Sequence, residues 1–89
     1  MQITVVGLSC PRIKRTLINA QAAAAEFDEH PEVSWINDLH HIVEIGTKQS
    51  PTILINDKVK LAGRIPSVYE ITTWIEQELQ VALEEEIAA

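Results

Sequence analysis

The chain opens with a pattern that leaves few topologies. Gln2-Ile3-Thr4-Val5-Val6 is a short, β-rich apolar run of the kind that forms a buried strand. Gly7-Leu8-Ser9 breaks it, and Pro11 stands where proline favours the first turn of a helix. Apolar residues then recur at Ile13, Leu17, Ala20, Ala24 and Phe27, in steps of four and three, and Ala22 to Ala25 add helix propensity. The helix should stop near His30-Pro31, because the residue before a proline is pushed out of helical space. Val33-Ser34-Trp35-Ile36-Asn37 returns as a strand. A β-α-β opening implies two parallel strands joined by a right-handed crossover.

The remainder is read in the same way. Asp38 is a candidate N-cap for a short helix through Leu39, Ile42 and Val43, which Gly46 ends. Pro51 precedes the strand Thr52-Ile53-Leu54-Ile55. Asn56-Asp57-Lys58 is turn chemistry, and Val59 to Ala62 pairs back antiparallel. After the loop Gly63-Arg64-Ile65-Pro66, Ser67 and Glu70 have capping-box spacing, and Ile71, Trp74, Ile75 and Leu79 define a last amphipathic helix. The expected fold is α/β, β-α-β-α-β-β-α, a mixed four-stranded sheet covered by three helices. One domain is expected over residues 1–82. Residues 83–89 read as an acidic tail that frays, because Glu84-Glu85-Glu86 places anions where a helix C-terminus prefers cations.

Composition decides what can hold such a domain together. A chain of 89 residues buries only about 60–65% of the surface its unfolded form exposes. Its one cysteine cannot form an internal disulfide, so the 46% hydrophobic residues must supply the stability. Aromatics are 4%, which leaves Ile, Leu, Val and Ala to fill the core. A formal charge of -6 argues against non-specific nucleic-acid binding and against anionic membrane surfaces. No apolar run approaches the length of a membrane span, and the strand-like start lacks a signal-peptide pattern, so a soluble cytoplasmic protein is expected.

The single cysteine falls at the most informative place. In open α/β sheets ligand chemistry gathers outside the carboxyl ends of the strands, and Cys10 sits there, at the start of the first helix. A helix N-terminus favours a thiolate, and Arg12, Lys14 and Arg15 follow at once. Cys10 is therefore either a reactive thiol or a small hydrophobe packed at the strand–helix junction. The basic trio is either a solvated helix face or an anion-attracting rim. His40, His41 and Glu44 suggest a metal, but no further ligand lies at recognised zinc spacing, so no metal is expected. Trp35 and Trp74 read as core residues.

Together these features resemble the thioredoxin fold, and most closely the minimal thioredoxin-like redox proteins of bacteria and archaea, over about residues 1–80. The opening strand runs through Gly7 into Cys10 at a helix start. Ser50-Pro51-Thr52 enters the third strand where the family keeps a cis-proline. Asn56-Asp57-Lys58 closes the hairpin, and Ala62-Gly63-Arg64 with a capped helix follows the last strand. The resemblance implies Cys10 as catalytic residue, with Ser50, Pro51, Gly63 and Arg12 binding substrate. In it the backbone of Ser50 pairs with an extended substrate chain by strand addition. The departure from the pattern is equally specific. The family's Cys-x-x-Cys is here Cys10-Pro11-Arg12-Ile13, so Ile13 stands where the resolving thiol belongs.

The implied function is a monothiol thioredoxin-like protein, forming mixed disulfides through Cys10 with glutathione or a thiol-containing protein, without intramolecular dithiol turnover. The alternative is a non-catalytic binding or assembly module with an inert Cys10. Gly7-Leu8-Ser9-Cys10 also resembles the loop of heavy-metal-associated domains, but the second thiolate that Cu(I) requires is again Ile13. The Cys-Gly-Phe-Ser loop of monothiol glutaredoxins is absent as well. No cofactor is expected, and a homodimer linked through Cys10 stays open.

Overall fold

The computed structural model describes residues 1–88. The elements run β1 (Gln2–Val6), α1 (Pro11–Ala24), β2 (Glu32–Ile36), α2 (Leu39–Ile45), β3 (Thr52–Ile55), β4 (Lys58–Ala62) and α3 (Val68–Ala88). The four strands form one sheet in the order β2-β1-β3-β4. β1 is parallel to β2, with Val5 opposite Trp35, and antiparallel to β3, with Val5 opposite Ile53. β3 and β4 are antiparallel, with a bulge at Ile53/Leu54. The fold is the expected α/β arrangement of three helices and a mixed sheet.

Strand alternation sorts the side chains onto two unequal faces. Ile3, Val5, Ile53 and Ile55 point to the face covered by α1 and α3. There they form one cluster with Ile13, Ala20, Ala23, Ile71 and Ile75, all essentially inaccessible to water. Alanines on α1 bring that helix close, and isoleucines from the strands and α3 fill the space between. Trp35 and Trp74 are half-buried and pack against this cluster rather than lying at its centre.

Three local features show sequence chemistry setting the chain path. Asp38 caps α2 through its side chain, and Gly46 ends it in a left-handed conformation, φ 83°. Asn56 and Asp57 both adopt positive φ, 51° and 67°, which makes a two-residue turn of the type that matches strand twist. Lys58 therefore belongs to β4 rather than to the turn. Ser67 and Glu70 form a reciprocal capping box: the Glu70 N–H donates to Ser67 Oγ at 3.1 Å, and the Ser67 N–H donates to Glu70 Oε1 at 3.0 Å.

The end of α3 carries the acidic run. The helix continues through Glu84-Glu85-Glu86 to Ala88. Gln, Ala, Leu and Glu are all strong helix formers, and their summed propensity outweighs an unfavourable dipole interaction confined to the last turn. Earlier on the same helix, Glu78 is buried and bridges two cations: Lys58 Nζ at 3.0 Å and Lys60 Nζ at 2.9 Å. Hydrogen bonds from Lys60 and then Lys58 hold its carboxyl below the usual range. No helix among the described residues is long and apolar enough to cross a membrane.

Candidate functional site

One end of the sheet collects the carboxyl end of β1, the start of α1, the segment before β3 and the segment after β4. Antiparallel pairing brings them together: β1 ends where β3 begins, and β4 ends beside that point. Cys10 is the N-cap residue of α1, with extended backbone (φ -163°, ψ 168°). Its carbonyl accepts from the Lys14 N–H at 3.0 Å, Pro11 follows it, and no side chain caps the helix. The thiol is free and half-buried.

The loop leading to Cys10 is held from behind. The Gly7 N–H donates to the Ile36 carbonyl at 3.0 Å, and the Trp35 indole N–H donates to the Gly7 carbonyl at 2.8 Å. Gly7 is also a point of close approach. A Cβ at that position would overlap the Ile13 side chain and lie 2.6 Å from Ser50 Oγ. The loop, the residue at the resolving-thiol position and the segment before β3 are thus in mutual contact, and Ile13 is fully buried beneath them.

The Ser50–Pro51 peptide bond is cis, and Pro51 is buried. The turn before it is tied by hydroxyls. Thr52 Oγ1 donates to the Gln49 carbonyl at 2.6 Å, and Thr47 Oγ1 lies 2.6 Å from Thr52 Oγ1. The Pro51 carbonyl accepts from the Gly63 N–H at 2.9 Å, and the Gly63 carbonyl accepts from Arg12 Nη2 at 2.7 Å. A single hydrogen-bonded path therefore runs from α1 through the loop after β4 to the proline. Ser50's own backbone N–H and C=O take no partner among the described residues.

All five residues singled out from sequence converge on this end. Cys10 and Ser50 share an open cavity of about 310 Å³, lined also by Val6, Leu8, Leu39 and Ile42. Pro51 follows Ser50 across the cis bond, and Gly63 is hydrogen-bonded to Pro51. Arg12 is engaged with a backbone carbonyl, so it braces the site. Arg64 pairs with Glu70 at 2.6 Å; hydrogen bonds from Arg64 and the Ser67 backbone lower the Glu70 carboxyl to about 2. His40 Nε2 lies 2.9 Å from Glu44 Oε1 on the exposed outer surface of α2, and no group of three or more metal-binding side chains gathers among the described residues.

Sequence reasoning missed two features. Leu8, Leu39 and Ile42 form the cavity wall, and nothing in the 3.6-residue period marks which α2 residues turn toward Cys10. Trp35 anchors Gly7; its place at the carboxyl end of β2, level with the break after β1, was the available signal.

A thioredoxin-domain family model matches residues 1–76. A thioredoxin of Methanocaldococcus jannaschii is 30% identical over 69 residues, covering 78% of this chain and 79% of its own length. A thioredoxin of Methanothermobacter thermautotrophicus is 28% identical over 71 residues, covering 80% and 92% respectively. No solved structure matches the chain. The fold is that of a thioredoxin-like protein, and the chain belongs to the thioredoxin-domain family, with a single cysteine and with Ile13 in place of the second thiol of Cys-x-x-Cys.

Proposed function

We propose that this protein exchanges disulfides through Cys10 alone. The Cys10 thiolate attacks one sulfur of a disulfide presented by glutathione or a protein partner. The old S–S bond breaks, its other sulfur leaves as a thiolate that takes up the proton lost by Cys10, and a mixed disulfide remains. The unpaired backbone groups of Ser50 would receive an extended substrate strand beside the thiol. An external thiol then attacks the mixed disulfide and restores Cys10. The cytoplasm, where glutathione keeps thiols reduced, suits that second step.

The observation that carries this reading is the pairing of a half-buried free thiol on an open cavity with a fully buried Ile13 beneath it. The thiol is accessible for attack, and no second thiol exists to release the product. Insulin reduction in the presence of dithiothreitol tests both halves. The wild type is expected at background, whereas Ile13→Cys, checked for folding by circular dichroism, is expected to gain turnover that Cys10→Ser removes. Turnover by the wild type would overturn the monothiol reading. A binding module with an inert Cys10 predicts instead that Ile13→Cys stays at background and that Cys10→Ser leaves partner capture unchanged.

A further inference from the structure

We propose that the occupant of the Cys10 cavity is an extended acidic segment of a partner protein, with an apolar side chain seated beside its disulfide-bonded cysteine. The inference rests on the exchange reading above and adds what chemistry selects the partner. Three observations carry it.

The first is the cavity wall. Val6, Leu8, Leu39 and Ile42 give it an apolar lining, and its volume of about 310 Å³ lies at the small end of the roughly 300–1,000 Å³ typical of ligand sites. An aliphatic side chain entering there loses water on several sides at once.

The second is that the apolar surface continues beyond the cavity. Leu8 and Leu39, on the cavity wall, are 53% and 60% exposed, and beyond them Val43, 69% exposed, lies one helical turn from Leu39 on the same face of α2. α2 contributes no buried residue at all. A ligand confined to the cavity meets Leu8 and Leu39, which line it, and leaves Val43 wet. A polypeptide running on from the thiol covers Val43 as well.

The third is the distribution of charge. Arg12, Lys14 and Arg15 lie within the first five residues of α1, and Lys48 lines the cavity. None of these four takes part in an ion pair among the described residues. Of the acids near α2 and the loop after β4, Glu70 is charge-paired with Arg64, whereas Asp38 caps α2 and Glu44 faces His40. The other ten acidic residues fall between Glu26 and Glu32, at the hairpin turn, or along α3 from Glu76 onward. A chain of net charge -6 thus carries four cations without ion pairs on the start of the helix that Cys10 caps and on the cavity wall, Arg12 among them bonded to the Gly63 carbonyl. Such a polarised surface steers anionic partners and repels basic ones, chiefly through the on-rate.

Exchange rates with symmetric peptide disulfides test this. The probes are a Glu-Leu-Cys-Glu peptide, its Lys-Leu-Cys-Lys and Glu-Gly-Cys-Glu counterparts, and glutathione disulfide, with acid quenching and intact mass as readout. At low salt the acidic leucine peptide is expected to react about tenfold faster than the lysine peptide, the gap closing as salt screens it. It should also outrun the glycine peptide and glutathione disulfide. Lys48→Glu combined with Arg15→Glu should invert the charge preference, and Leu39→Ser should erase the leucine preference. Equal rates for acidic and basic peptides, or glutathione disulfide reacting as fast as the acidic leucine peptide, would overturn the inference while leaving single-thiol exchange intact. Failure of every probe to modify Cys10 would overturn the exchange reading and this inference together.

Discussion

The two faces of the sheet are built to different standards. Under α1 and α3, isoleucines from β1, β3 and α3 meet alanines from α1 in a layer that excludes water completely. On the opposite face the strands present Thr4, Val6, Ser34, Ile36, Thr52 and Leu54, and the seven-residue α2 covers only part of them. Gln2 Nε2 donates to Ser34 Oγ at 2.6 Å on that side, a polar contact that the packed face has no room for. One face therefore carries the stability of this small domain, and the other is left free to present an open cavity next to Cys10. A chain without an internal disulfide can keep an exposed apolar site only if its core is closed elsewhere.

Substitutions on the two faces should accordingly differ in size and in kind. Ile75→Ala opens a cavity in the packed layer and is expected to cost about 2–5 kcal/mol by urea unfolding, the largest effect of the set. A cost below about 1 kcal/mol would mean that the layer is loosely packed. Glu78→Gln comes next. It leaves Lys58 and Lys60 sharing a neutral partner at the β4–α3 contact, for an expected loss of about 1–3 kcal/mol. Glu70→Ala removes the capping box and the Arg64 pair together and is expected to cost about 1 kcal/mol. Val43→Ala on the open face should fall within about 0.5 kcal/mol of wild type while slowing exchange with apolar peptides.

Acid should act through the same polar fastenings. The carboxyls of Glu70 and Glu78 are both lowered in the folded protein, Glu70 to about 2. Groups with depressed folded values contribute stability that is fully present above the unfolded value of about 4.3 and is lost as pH falls through the folded one. Melting temperature should therefore hold from neutral pH to about 5 and decline between about 4.5 and 2. Glu70→Gln should flatten that decline without altering the neutral plateau's independence of pH.

Much of this was legible in the sequence because local signals and global fold agree. The β-rich run before Gly7, the alanine-rich helix behind Pro11 and the Ser67/Glu70 capping box each name an element, and the short Asn56-Asp57 turn dictates antiparallel pairing. Cys10 is marked by its place after β1, and Ser50, Pro51, Gly63 and Arg12 are marked by the family resemblance; strand pairing brings them to one end. What the sequence left unreadable depends on three-dimensional neighbours. Arg12 reads as a surface cation until the loop after β4 places the Gly63 carbonyl within 2.7 Å. Glu78 resembles every other acid on α3 until β4 sets two lysines against it.

The central claim is that Cys10 is half of a redox site, able to accept a disulfide and unable to clear it. Intact-mass measurement after brief reaction with a cysteine-peptide disulfide, followed by removal of excess peptide, tests it most directly. One adduct per chain, located at Cys10 and persisting for hours until glutathione is added, is the predicted result. A chain that stays unmodified, or an adduct that clears with no thiol added, would contradict it.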